Sequence, residues 1–340
     1  MWSSGIKWIF LIIGTTIGAG YASGRELWQF FGHGSSFAIL LFTIMFAVCC
    51  YVILIISYEN KSTHYIPVLH LLVGKRLSKL YDVLILFYLF STTVIMMAGS
   101  GATWQAFNIS YWWGIIVVAL PLILAFVRDI KGILNMNTFI LPLLIGGLLY
   151  VLLSFVKQQE ISFFSHLHEQ FNWSSAFTFT ALNILPLVAV LGAVGNHIKR
   201  KGEILIASVG SACILGVMTF IYNNSLIHIS EEILLYEIPL FAILKNYPYN
   251  MFIIISILLW LALFTTALAG TLGIVKRIEG FFQIPLWKLA FIVVVIMIPF
   301  TSFGFSTLIE YLYPLYGLLN LYLLSALLIY PILQRSEKIK

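Results

Sequence analysis

The chain has 340 residues, of which 61% are hydrophobic and only 9% charged, with a mean hydropathy of +1.00. Soluble domains carry roughly 25% charged residues, so a soluble globular protein is excluded, and so is disorder. The net charge of +6 comes from 19 Lys and Arg against 13 Asp and Glu, spread too thinly to form a nucleic-acid stripe. The apolar runs are long and continuous rather than short and alternating, which excludes a β-barrel and leaves an all-α polytopic membrane protein.

Charge-free runs predict the spans in chain order. The first covers residues 6–31; its Lys7, short apolar run and Ala19–Ala22 have the outline of a signal peptide, but the segment fits as a first span. The second lies within 27–58, and 83–127 is long enough for two, divided near 108–113. Single spans fit 132–156, 170–198, 204–230, 246–275, 289–309 and 311–334, with the ninth and tenth meeting near Thr301–Gly304. Ten helices result, each near the ~20 residues needed to cross hydrocarbon.

With the N-terminus in the cytoplasm and strict alternation, sixteen of the 19 Lys and Arg fall inside, and only Arg25, Lys157 and Lys245 fall outside. That bias follows the positive-inside rule and predicts a multi-pass plasma-membrane protein with both termini cytoplasmic. Most tryptophans fall near predicted interfaces; Trp260, half-way down the eighth helix, reads as core packing. Cys49, Cys50 and Cys213 lie in apolar runs and read as buried thiols. Between the seventh and eighth spans, residues 229–246 are amphipathic, predicting a short helix or helical hairpin across the outer face. It either rests on headgroups or serves as a lid over a vestibule.

The first span carries a concentrated irregularity. Residues Gly14–Gly24, GTTIGAGYASG, place four glycines and several hydroxyls in eleven positions. Each Gly costs roughly 1 kcal/mol against Ala in a helix, which predicts a break rather than close packing through small residues. Helix six, five spans later and opposite in direction, has its own mid-span irregularity at Asn183–Pro186. Matching interruptions in two halves point to a midplane site in a secondary transporter. A half-helix beginning near Gly20 suits a carboxylate, and one ending near Ile17 offers carbonyls to a cation. Amino acids are the class carrying both charges.

The stretch Gly14–Phe31, GTTIGAGYASGRELWQFF, resembles the opening of the YkvI-like family of bacterial membrane proteins, placed with the amino acid–polyamine–organocation (APC) transporters. The resemblance implies a leucine-transporter-like fold of ten helices in a five-plus-five inverted repeat with helices 1 and 6 broken. The repeats would be residues 1–158 and 159–334, followed by a cytoplasmic tail at 335–340. It also implies a sodium site from the carbonyls of Gly14, Ile17 and Ala262 and the hydroxyls of Thr265 and Thr266. The alternative is that both Thr side chains bond back to their own helix. Proton-coupled relatives use a lysine from helix five instead; Lys131 begins that helix here, too near the cytoplasmic end to reach, and Asn135 and Asn137 carry no titratable amine.

The substrate would meet Gly18, Ala19, Gly20 and Tyr21 at the break. Further candidates are Tyr88, Ser91 and Thr92 on helix three, Phe179 and Asn183 on helix six, and Phe264 on helix eight. Ionisable groups within spans are costly. Arg25 with Glu310 on helix ten is a candidate outer gate; a static Arg25–Glu26 arrangement at the helix end is the alternative. Asp82 is expected to pair with Lys79 or Arg76, His197 to be interfacial, and His166 and His168 to lie in a solvated loop. Hydrolase, zinc and nucleotide motifs are absent from the sequence, so neither an enzyme nor a bound cofactor is expected beyond sodium as coupling ion. The predicted function is sodium-coupled transport of an amino acid or related zwitterion or amine. Proton coupling, or a nutrient-sensing receptor built on the same fold, are the alternatives.

Overall fold

The computed structural model describes the backbone of residues 2–127, 130–162, 170–282 and 284–337, and the side chains of 4–127, 139–162, 170–282 and 284–333. Arg128, His166 and His168 lie outside the described residues, and Lys131, Asn135 and Asn137 are described in backbone alone. Among the described residues every regular element is helical. The first span is divided into α1 (Trp2–Thr16), α2 (Ala19–Ala22) and α3 (Arg25–Phe30). Then follow α4 (Ser36–Glu59), α5 (Ile66–Gln105), α6 (Tyr111–Ala125) and α7 (Ile130–Gln158). The second half holds α8 (Ser175–Leu191), α9 (Lys201–His228), the short α10 (Ser230–Ile233) and α11 (Pro239–Leu244), and α12 (Tyr249–Ile278). The chain ends with α13 (Leu286–Met297), α14 (Phe305–Leu319) and α15 (Leu321–Glu337).

Six described helices are long and apolar enough to cross a membrane, and α14 with α15, bent by 42° at Asn320, makes a seventh. Three shorter apolar helices accompany them: residues 4–16 of α1, α6 and α8. The protein is therefore a multi-pass membrane protein. Its helices pack as two groups. In one, α9 packs on α1 and α4, and α8 on α4 and α1; in the other, α12 packs on α5, α7 and α13, and α6 on α5 and α13, with α7 also touching α9. The α14–α15 pair touches both groups, and the site lies where they face each other.

Three expectations change. The third span does not begin at residue 83: α5 starts at Ile66, with an axis break at Gly74 (φ 76°, ψ 167°) that only Gly adopts without strain. The basic run Lys75–Lys79 disguises this stretch as a loop, whereas it is the polar end of a helix. Helix six is not broken at Asn183–Pro186: α8 passes through Pro186 and continues to Leu191. Proline costs one amide donor, and neighbouring helices in a membrane bundle tolerate that locally. Cys213, expected to be buried, is exposed on α9, while Cys49 and Cys50 are buried.

Asp82 also finds other partners. Its carboxylate accepts from the Tyr65 hydroxyl at 2.7 Å and pairs with Arg277 at the end of α12. This ties the first half of the long α5 to the end of α12. Burial first, and the neighbouring Asp82 second, push the Tyr65 hydroxyl up to about 12, so it remains a donor at every physiological pH.

Candidate functional site

The break falls where the composition places it. The α1 ladder closes with the Ile17 amide donating to the Ile13 carbonyl at 2.7 Å, the Thr16 hydroxyl donates to the Ile12 carbonyl at 3.0 Å, and Gly18 is extended at φ −83°, ψ 178°. Next comes α2, a single turn, and then Gly24 at φ 79°, the left-handed region, starts α3 on a new axis. Two tyrosines of α9 and α2 hold this segment. The Tyr222 hydroxyl donates to the Ala22 carbonyl at 2.9 Å, and Tyr21 bonds Thr219 at 2.9 Å.

Beside the break is a cavity of about 920 Å³. From α1 it is lined by Gly14 and Gly18, from α5 by Tyr88 and Thr92, from α8 by Asn183, and from α12 by Thr265 and Thr266. Added to these are Glu26 of α3 and Tyr313 of α14. There is open space at Gly18, where a methyl group in place of its hydrogen would meet nothing within 4 Å. The cavity runs along α1 to the exposed Lys7, seven residues and roughly 10 Å of helical rise before Gly14. It thus opens toward the N-terminal end of α1.

The other end is covered. The segment 229–246 folds as α10 and α11, and α11 is buried from Pro239 to Leu244. The Leu240 amide donates to the Ser23 carbonyl at 2.9 Å, tying α11 to the broken helix. Glu237, just before α11, accepts from the Ser306 amide at 2.7 Å at the start of α14. Arg25 Nη2 stands 4.0 Å from Glu310 Oε2 on α14, and Arg25 also feels the charge of Glu237. Its Nε is buried with no hydrogen-bond partner among the described residues. α11, Glu237 and the Arg25–Glu310 contact thus lie together at this end of the broken helix.

The predicted residues divide into two sets. Gly14, Gly18, Tyr88, Thr92, Asn183, Thr265 and Thr266 meet in the cavity lining. Ile17, Ala19, Tyr21 and Ala262 lie buried behind it, as does Gly20. Thr265 donates to the Ala262 carbonyl at 3.2 Å. Ser91 faces another way, bonded to the Tyr316 hydroxyl at 2.6 Å. Phe179 is enclosed by Phe30, Phe31 and Phe42, and Phe264 stacks on Trp260, whose indole donates to Ser100 at 2.8 Å. These last positions are packing in this state of the molecule. His197 is exposed on a short 3-10 turn.

No family model matches the chain. YyaD of Bacillus subtilis (strain 168), an uncharacterized protein, is 49% identical over 335 residues, 98% of this chain and 99% of the relative. The membrane protein YkvI of the same organism is 27% identical, covering 94% of each chain. The chain belongs to the YkvI-like family. Among solved structures it resembles a manganese transporter of Eremococcus coleocola (TM-score 0.63, 13% identity, 96% of this chain and 78% of that one). It also resembles MHP1, a nucleobase-cation-symport-1 family transporter (TM-score 0.59, 15% identity, 92% of this chain and 74% of that one). At such identities these likenesses show a shared fold.

One residue of this YkvI-like chain lies in the cavity without having been assigned a place there. Glu26 is 5% exposed and lines the cavity, whereas its neighbour Arg25 turns toward Glu310. A methyl group on Gly20 would lie 2.8 Å from Glu26 Oε2 and 3.2 Å from the Tyr313 hydroxyl, so acid and phenol converge over α2. The sequence signal was an acid inside an apolar span; Arg25 beside it suggested local neutralisation, which the fold does not make.

Proposed function

We propose that this protein is a secondary active transporter of an amino acid or a related small zwitterion or amine, working by alternating access. The observation that carries the reading is the cavity at a broken helix, open along α1 and covered at the opposite end by α11 and the Arg25–Glu310 pair. A cavity closed on one side suits exchange between two openings better than a continuous pore. The two packing groups supply the moving parts: α1, α4, α8 and α9 rock against the α5–α12 group.

In this reading the molecule has ten spans, counting the three short apolar helices and α14–α15 as one. They form a five-plus-five inverted repeat divided near residue 158, with both termini on the cytoplasmic side of the plasma membrane. Sodium is the coupling ion, held by the carbonyls of Gly14, Ile17 and Ala262 and the hydroxyls of Thr265 and Thr266. A hydroxyl that donates to the Ala262 carbonyl still offers its lone pairs to a cation. Substrate occupies the open space at Gly18, with Asn183, Tyr88 and Thr92 around it. Sodium drives uptake because both ligands stabilise the same closed state.

A transition-metal cargo is not supported by the residues present: among the described residues no three His, Cys, Asp or Glu side chains group together. The test is uptake into proteoliposomes under an inward sodium gradient, with potassium as control. Accumulation above equilibrium in sodium, made sodium-independent or abolished by Thr265→Ala with Thr266→Ala, is the expected result. Undiminished sodium dependence in that double variant overturns the cation assignment, and absence of any gradient-driven accumulation overturns transport.

A further inference from the structure

Within the transporter reading above, on which this inference rests, we propose that Glu26 is the ionic anchor for the substrate's ammonium group, and that the preferred substrate is an organic amine lacking a carboxylate. Glu26 is more than nine-tenths buried and lines the cavity. Among the described residues its side chain takes part in no salt bridge and no hydrogen bond. A carboxylate so placed carries a large desolvation cost unless a positive group faces it. Arg25 does not supply that group, because its guanidinium is directed to Glu310. Lys7, the other charged side chain of the lining, stands exposed at the mouth.

The position of Glu26 also decides against a carboxylate on the substrate. The expected place for such a carboxylate was the start of the second half-helix, at Gly18–Gly20. There α2 is only four residues long, too short to sum an appreciable dipole. Glu26 Oε2 already stands over Gly20, so a second carboxylate would meet like charge in a low-dielectric setting. An ammonium in the same place gains a charge-assisted hydrogen bond from Glu26. The Tyr88 and Tyr313 rings in the same wall favour a cation further. The open space at Gly18 leaves room for the rest of the molecule.

The experiment is a matched-pair binding series on the purified full-length protein in detergent, read by thermal stabilisation in sodium and in potassium. Each amino acid is tested beside the amine formed by its decarboxylation. The expected result is stabilisation by at least one amine at concentrations where its parent amino acid has no effect. Glu26→Gln, checked for monodispersity and an unshifted ligand-free melting temperature, is expected to weaken that amine by on the order of 30-fold. An amino acid that binds as tightly as its amine overturns the proposal without any variant, as does failure of both series. Unchanged amine binding in Glu26→Gln, or loss only of a sodium effect, overturns it equally. Amine binding without uptake into proteoliposomes leaves the anchor standing and removes the transporter reading, so the two fail separately.

Discussion

Gly18 and Gly24 bracket the single turn of α2 and meet opposite surroundings. Gly18 has an ordinary extended backbone and open space before it. Gly24 has φ 79°, and a methyl group there would lie 2.8 Å from the Tyr222 hydroxyl. Gly18→Leu is therefore expected to leave ligand-free stability within about 1 kcal/mol while lowering uptake at least tenfold, since the side chain fills the cavity. Gly24→Ala is expected to lower stability by about 1–3 kcal/mol, from left-handed strain and displacement of Tyr222. Thermal unfolding beside an uptake assay separates the two; equal effects of both substitutions on stability would refute this division. The same left-handed turn explains why Glu26 was not legible in sequence. Read along a continuous helix it sits beside Arg25, and only the new axis at Gly24 lets it reach back to Gly20.

Between elements, the contacts are of two kinds. The segment around α11 is held by backbone and by Glu237, whereas the Arg25–Glu310 pair is at the limit of contact, with the Glu310 side chain half exposed. Such a pair contributes little in a static structure, about 0–1 kcal/mol, which suits a contact that must open each cycle. Arg25→Ala and Glu310→Ala are expected to reduce uptake non-additively, the double variant losing little more than the worse single one. Fully additive losses would show that the pair is not a unit. At the opposite face Tyr65, Asp82 and Arg277 tie α5 to α12. Because the Tyr65 hydroxyl is raised from 10.0 to about 12, the folded state favours its protonated form. Its contribution is fully present below pH 10 and is lost as pH rises through 12. Difference titration of tyrosine absorbance against Tyr65→Phe should place the ionisation above that of free tyrosine; a normal midpoint would dissolve the clamp.

At the scale of the molecule, what sequence made legible was whatever depends on one segment alone. Membrane class followed from hydropathy, the break from glycines crowded at 14–24, and helical character in 229–246 from its amphipathic pattern. Relations between segments were another matter. Nothing local distinguishes a proline that breaks a helix from Pro186, which α8 passes through, or pairs Asp82 with Arg277 across the chain rather than with Lys79 nearby. Phe179 and Phe264 carry the aromatic character of a pocket but pack against other rings, because burial is decided by the neighbours.

The central claim is that the space at Gly18 opens to one side of the membrane at a time. It is tested most directly by Gly18→Cys in a background with Cys49, Cys50 and Cys213 replaced by Ser, labelled with an impermeant maleimide from each side of sealed vesicles. In the state described, labelling is expected only from the side of Lys7; loosening the cover with Arg25→Ala should add reactivity from the other side and reduce it on the first. Simultaneous full labelling from both sides in the otherwise unaltered protein would mean a continuous pore, and labelling from neither would mean that Gly18 faces no accessible cavity.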